Sequence, residues 1–262
     1  MLHYIELSYS KNCPLFIFGC CNLVAALVFL SLTTRSSLMI RGVNAWLKPF
    51  KFAISIAVFS FTMGWFTYEL HAPGTVEIYN WIVILLLGFE IVYIALQAGR
   101  GQLSHYNFSK PVYGFLTALM GIAAAIVTLW TGYIGLLFFN ADLKALPYYY
   151  VLSIRMGIVL FVFFAFQGAS MGARSTHTVG GAEGGPAIPL LNWSKKYGDL
   201  RIAHFVGMHA LQVLPLLAWY VLKDTLAVTI AGLLYGCLAV FTLVRALKGN
   251  PLIKYKEIIT AH

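Results

Sequence analysis

Seven long apolar segments follow one another along this chain, and they limit its fold more than any other feature. A helix needs about 20 residues to cross the hydrocarbon core of a bilayer, and each segment is roughly that long. Helices of this length hydrogen-bond their own backbone, as lipid requires. We therefore predict an all-α membrane protein, one domain over residues 1–262 with seven transmembrane helices, at Cys13–Thr34, Phe50–Leu70, Val76–Gln97, Pro111–Tyr133, Pro147–Met171, Leu200–Leu222 and Thr225–Ala246.

The composition agrees with a protein embedded in lipid. Hydrophobic residues make up 60% of the chain and charged residues 10%, whereas soluble domains carry roughly 25% charged residues. The lipid bilayer is therefore the first partner that we expect. We predict a multi-pass protein of a bacterial-type inner (plasma) membrane.

Basic residues are distributed unevenly between the two predicted sides of that membrane. Inner loops of membrane proteins are enriched in Lys and Arg, so we predict an outer amino terminus and an inner carboxyl terminus. The outer side then carries only Lys11, Lys144 and Lys223. Because this rule accounts for the net charge of +9, the charge gives no reason to expect a nucleic-acid partner. The inner basic residues are Arg35, Arg41, Lys48, Lys51, Arg100, Lys110, Arg174, Lys195, Lys196, Arg201, Arg245, Lys248, Lys254 and Lys256.

The longest predicted loop, residues 172–198, lies on the inner side and contains the sequence GGAEGGP. This sequence matches neither a nucleotide-binding P-loop nor a dinucleotide-binding motif, and it follows no predicted strand. We expect a flexible loop there. Lys48 and Lys51 open the second span from the same side, and we expect their side chains to extend to lipid headgroups.

The sixth span carries polar residues at membrane depth. With about 100° per residue, Arg201, His204, His209 and Gln212 fall within one arc of the helix, and the opposite arc is apolar. Polar groups that face lipid would lack hydrogen-bond partners. This arc is therefore expected to face the interior of the bundle.

Glu90 is an acid within an otherwise apolar part of the third span. A charge at such a depth costs roughly 3 kcal/mol on insertion scales unless it is paired or hydrated. Gln97 and Arg100 continue a polar stripe from Glu90 towards the inner surface. Arg155, in the fifth span, is expected about 10 Å further out than Glu90.

Counting residues from the middle of each span predicts one polar pocket that opens to the inner side. Glu90, His204 and His209 are its predicted catalytic residues, as acid–base groups or metal ligands. Basic residues at its mouth favour an anionic or amphiphilic small molecule. The predicted substrate-binding residues are Gln97, Arg100, Arg155, Gln167, Arg174, Arg201 and Gln212.

These residues do not decide which cofactor, if any, the pocket holds. Imidazole and carboxylate suit a transition metal held by Glu90, His204 and His209. However, the two histidines are five residues apart, so they lack the i, i+4 spacing of helical metal sites. A haem between two histidines is disfavoured because His105 and His177 lie too near the inner surface to oppose His204 or His209. A haem with one protein ligand stays open as an alternative.

Three functions remain compatible with the sequence. The leading hypothesis is a membrane-embedded enzyme that acts on an amphiphilic or lipid-soluble substrate. The alternatives are a proton-linked transporter of a small solute, and a signalling or assembly subunit without a catalytic site.

Overall fold

The computed structural model describes residues 2–253 of the chain, so that Lys254 and Lys256 lie outside the described residues. Within residues 2–253, seven helices are long and apolar enough to cross a membrane, as the sequence predicts. A shorter helix, α1 (Leu2–Lys11), precedes them. The seven are α2 (Cys13–Arg35), α3 (Leu47–Tyr68), α4 (Pro73–Gly99), α5 (Pro111–Asn140), α6 (Tyr148–Arg174), α7 (Leu200–Leu217, continued by the π-helical turn Ala218–Leu222) and α8 (Thr225–Leu247).

The starts of α3 and α4 and the ends of α5 and α6 differ from the prediction. Helix α5 continues to Asn140 instead of ending near Tyr133, because the intervening residues remain apolar. Helix α3 begins at Leu47, so that Lys48 and Lys51 belong to its first turns. The segment before α3 forms a small hairpin of β1 (Met39–Ile40) and β2 (Val43–Asn44).

Local sequence explains where several helices begin. The side chains of Asn12, Asp199 and Asp224 accept hydrogen bonds from the first free backbone N–H groups of α2, α7 and α8. Such capping is worth about 1 kcal/mol per helix. Helices α2, α4 and α5 carry a proline in the first turn, where the missing N–H has no helical partner to lose. Helix α2 therefore has both a capping residue and a proline.

The helices run in alternating directions, so the connecting segments collect at two ends of the bundle. The loop-rich end contains residues 36–46, 100–110, 175–199 and 248–253. The opposite end contains the short connections 69–72, 141–147 and 223–224.

The long connection between α6 and α7 is held together by strand pairing within itself. Strand β3 (Thr178–Val179) pairs in antiparallel fashion with β4 (Gly198–Asp199), so the two ends of the loop are joined. An isolated bridge between Ala187 and Ser194 closes the loop again further along. These pairings hold a segment that we expected to lack regular structure.

Helices α6 and α7 pack closely because a glycine lies at their contact. A Cβ atom on Gly157 would lie 3.0 Å from the carbonyl oxygen of Ala210 and 3.2 Å from the Cα of Leu211. Small residues allow such close approach of helices in membranes. The aromatic rings of Phe59 in α3 and Phe161 in α6 stack with centroids 5.4 Å apart, which ties α3 to the same core.

Candidate functional site

The polar arc of α7 divides between two neighbouring helices. Towards α6, Nδ1 of His204 lies 2.7 Å from the backbone oxygen of Phe164. A carbonyl only accepts, so this ring nitrogen carries the hydrogen and donates it. The ring packs where α6 has no side chain, since a Cβ on Gly168 would lie 2.8 Å from His204 Cε1. The structure thus places His204 at the α6–α7 contact.

His209 belongs to a hydrogen-bonded row between α7 and α3. Its Nδ1 lies 3.2 Å from Oε1 of Gln212, and Nε2 of Gln212 donates to Oγ1 of Thr62 at 3.2 Å. The Thr62 hydroxyl in turn donates to the backbone oxygen of Val58 at 2.7 Å. Because Gln212 presents its oxygen to His209, Nδ1 of His209 is the donor. Its Nε2 therefore keeps a lone pair and can accept a proton.

Residues 191 and 192 of the long loop bring two cations together on the loop-rich side of this row. Nζ of Lys51 donates to the backbone oxygen of Leu191 at 3.3 Å. The Arg201 guanidinium donates to the backbone oxygen of the next residue, Asn192. The two positive charges are close enough to repel each other. Adjacent carbonyls thus hold two cations that come from different helices, α3 and α7.

An aromatic contact connects the same loop segment with His209. The rings of Trp193 and Phe205 meet edge to face with centroids 5.4 Å apart. The Phe205 ring meets the His209 ring in the same way at 4.3 Å. We call the set Lys51, Thr62, residues 191–193, Arg201, Phe205, His209 and Gln212 the α3–α7 site.

Arg201 is oriented by the residue that begins its helix. Asp199 is 1% exposed, and its two oxygens accept from Nε and Nη2 of Arg201 at 2.9 and 2.6 Å. Burial alone would raise the pKa of Asp199, but hydrogen bonds from Arg201 and the backbone of Ser194, with the charges of Arg201 and His177, hold it below the ordinary 3.8. Asp199 is therefore ionised, and its fork-to-fork pairing fixes the guanidinium plane.

Two further loop residues complete this ionic network. Glu183 pairs with Arg41 and accepts from the hydroxyl of Thr176 at 2.7 Å. Burial would raise the pKa of Glu183, but that hydrogen bond and the charges of His177 and Arg41 lower it. His177 lies 3.6 Å from Glu183 and 3.9 Å from Asp199. Burial and the charge of Arg201 lower the pKa of His177 despite both acids.

Glu90 belongs to a different group of residues, between α3 and α4. It is 6% exposed, and its Oε1 has no hydrogen-bond partner among the described residues. The charge of Lys48 lies near enough to attract it. Nζ of Lys48 is itself 3.1 Å from Nδ1 of His105. Within residues 2–253, no ion pair or hydrogen bond joins Glu90 to either His204 or His209.

The other residues predicted for the site lie in separate places. Gln97 is fully buried and donates to the Tyr93 hydroxyl at 2.8 Å, on the Glu90 face of α4. Gln167 donates to Ser170 at 3.2 Å, and Arg155 donates to the backbone oxygen of Phe138 at 2.9 Å. Arg100 and Arg174 are exposed at the loop-rich end.

The structure offers no support for a metal site. Among the described residues, no group of three or more His, Cys, Asp or Glu side chains is arranged to hold a metal ion. The three ligands considered from the sequence have different neighbours. Glu90 lies near Lys48 of α3, His204 bonds to Phe164 of α6, and His209 bonds to Gln212 of its own helix.

Sequence reasoning missed several residues that organise these sites. Lys48 and Lys51 were interpreted as headgroup contacts, whereas they contact His105 and Leu191. Asp199 and Glu183 received no part in the predicted pocket. Asp199 directly precedes an apolar helix, which is the typical position of a capping residue. At the opposite end a buried amide network was also missed, in which Asn12 bonds Thr67 and Asn80 at 3.0 to 3.1 Å.

Comparison with known proteins returned no match, whether with family models, curated proteins or solved structures. The geometry of the sites is therefore the basis of the functional argument.

Proposed function

We propose that this protein is a membrane-embedded enzyme that binds the anionic end of an amphiphilic substrate at the α3–α7 site, with His209 as the proton acceptor. The observation that carries the proposal is the meeting of Lys51 and Arg201 on adjacent carbonyls, next to a histidine with a free ring nitrogen. Cation, base and apolar wall lie together in this one place.

The charge balance favours an anionic ligand. Arg201 forms an ion pair with Asp199. Among the described residues Lys51 forms no ion pair: it donates to a neutral carbonyl, and the charge of Asp199 acts on it only at longer range. An ammonium at the membrane boundary is stabilised by an anion, and charge-assisted hydrogen bonds are the strong ones. The exposed ring of Phe205 adds apolar surface for the hydrocarbon part of an amphiphile.

The hydrogen-bonded row suits His209 to acid–base chemistry. Each donor in the row points away from His209, towards Gln212, Thr62 and finally Val58. This fixes the tautomer and the ring orientation, as a general base requires. A reaction that removes a proton next to a bound anionic group is the chemistry that this arrangement supports best.

The direction of access supports an enzyme over a channel-like path. Beyond Thr62 and Gln212, towards the opposite end, the bundle is filled by buried apolar side chains, among them Met63, Ile154 and Ala218. We infer that a ligand reaches the site from the loop-rich end. We also propose that this end faces the cytoplasm of a bacterial-type plasma membrane, because most of the basic residues gather there.

Proton-linked transport is the second candidate, and one feature of α7 favours it. Pro215 lies inside the helix, and the π-helical turn Ala218–Leu222 follows it. Proline and π-helical turns are the usual causes of bends in helices. A helix that bends just beyond His209 and Gln212 would allow the site to open alternately to both ends.

Binding is tested with octyl phosphate, with inorganic phosphate and octanol as its two separate halves. Calorimetry on protein in a neutral detergent is expected to detect octyl phosphate more strongly than either half. Lys51→Gln should weaken this binding by about tenfold or more, since a hydrogen bond to a charge is worth about 1.5–3 kcal/mol. Lys248→Gln, an exposed lysine of the same end, is the matched control. Equal binding by both variants would contradict the assigned site.

Turnover is tested by mass spectrometry of bacterial membrane lipids incubated with the protein. We expect a lipid product that His209→Gln abolishes and that His71→Gln, at the opposite end, leaves unchanged. Binding without any product, combined with uptake of an anion into proteoliposomes, would replace the enzyme by the transporter. Absence of both binding and product would leave the signalling or assembly subunit.

A further inference from the structure

A groove of about 610 Å³ opens on the outside of the bundle where α5, α6 and α8 meet. Its volume lies within the range of about 300–1,000 Å³ that is typical of small-molecule clefts. Two glycines of α5, Gly132 and Gly135, lie in it, opposite Ile158 and Val162 of α6. Its rim is formed by exposed apolar side chains such as Val159 and Phe163. All of these residues belong to membrane-spanning helices, so this apolar groove faces lipid.

Arg155 lies at the end of the groove that is nearer the opposite end of the bundle. The centre of its guanidinium lies 5.1 Å from the ring centroid of Phe139, which lines the groove. Its Nε donates to the backbone oxygen of Phe138 at 2.9 Å. In the described part of the chain no acid pairs with Arg155, and no hydrogen bond is made by its Nη1 or Nη2. A charge inside a span normally has a partner, because leaving it unpaired in hydrocarbon is costly.

The position of Arg155 suits a lipid headgroup. It is seven residues into α6, so it lies about 10 Å along the helix from Tyr148, and its long side chain can reach the interface. From Arg155 to Gln167 at the far end of the groove, α6 rises about 18 Å. One leaflet of a bilayer core is about 15 Å thick. The groove is therefore about as long as one acyl chain, with a free cation at the end where a headgroup would lie.

We propose that this groove holds an acyl chain of an anionic phospholipid and that Arg155 binds its phosphate. The guanidinium offers two planar donors, Nη1 and Nη2, that match two phosphate oxygens. Gly132 and Gly135 let α5 approach Ile158 and Val162 of α6 closely, so these four residues form the floor of the groove. The exposed rim lets the chain enter sideways from the bilayer. This lipid site is distinct from the α3–α7 site, which lies between other helices.

The test uses the full-length protein in nanodiscs of equal parts phosphatidylglycerol and phosphatidylcholine with identical chains, followed by native mass spectrometry. We expect the wild-type protein to retain phosphatidylglycerol in preference to phosphatidylcholine. Arg155→Gln is expected to reduce this preference by about tenfold. Arg174→Gln, an exposed arginine at the other end of the same helix, is the matched control and should retain the wild-type preference.

A second variant tests the apolar part of the site separately. Val159 is 55% exposed and lines the groove, so Val159→Trp fills it without entering the packed core. This variant is expected to lose the retained lipid. Its melting temperature is expected to be close to that measured for the lipid-free wild-type protein. The proposal is overturned by equal retention of both lipids in the wild type, by an unchanged preference in Arg155→Gln, or by lipid-free dimers in which a second copy covers the groove.

Discussion

The contact between α6 and α7 can be tested by adding one methyl group. In Gly157→Ala the new Cβ would lie 3.0 Å from the backbone oxygen of Ala210 and 3.2 Å from the Cα of Leu211. Both neighbours are backbone atoms of a packed helix, so a rotamer change cannot relieve the crowding and the two helices must separate. Overpacking of this kind costs about 1–3 kcal/mol.

A glycine in the interior of α5 supplies the control. Nothing lies within 4 Å of a Cβ added to Gly121. Both substitutions gain about 0.8–1.0 kcal/mol from the better helix propensity of alanine in a helix interior. The gain cancels in the comparison, so Gly157→Ala should be less stable than Gly121→Ala by the overpacking cost of about 1–3 kcal/mol.

The measurement is the free energy of unfolding in mixed micelles of a neutral detergent and dodecyl sulfate, followed by circular dichroism. Octyl phosphate binding should weaken in parallel in Gly157→Ala, since the same contact positions the α7 residues of the α3–α7 site. Equal stability of the two variants would show that α6 and α7 do not approach as closely as described, and the arrangement of His204 and His209 would then have to be revised.

Two other residues outside the spans give predictions about stability. Burial and the charge of Lys48 hold the pKa of His105 well below its ordinary 6.5. On acidification the unfolded chain therefore binds a proton before the folded chain does, so the contribution of His105 to the free energy of unfolding is fully present above about pH 6.5 and is lost below it. His105→Gln should flatten this decline between about pH 7.5 and 5.5. Asp199→Asn removes the charge that pairs with Arg201, which should cost about 3 kcal/mol. Faster tryptic cleavage after Lys195 would report that loss, whereas an unchanged cleavage rate would contradict it.

The spans could be predicted from sequence because the signal is local. A run of about 20 apolar residues has one stable form in lipid, whatever surrounds it. The ends of the helices were predicted less accurately, as the extension of α5 to Asn140 shows. An apolar helix can continue past the membrane boundary, so apolar residues do not mark its end.

The candidate site could be predicted only in part, since it depends on which helices are neighbours. The polar face of α7 was visible in the sequence, but His204 and His209 point about 140° apart around the helix, so they contact different partners. Glu90 lies at a comparable depth on α4, yet its charged neighbour is Lys48 of α3. Depth along a span follows from counting residues, whereas lateral position requires the packed bundle.

The bond between His204 and the Phe164 carbonyl bears on how the chain enters the bilayer during synthesis. Released alone from the translocation machinery, α7 would present an unsatisfied imidazole to hydrocarbon. Held together, α6 and α7 cover that group between them, and the loop that joins them is closed by its own strands. Integration as a hairpin is thus energetically preferable to integration one helix at a time.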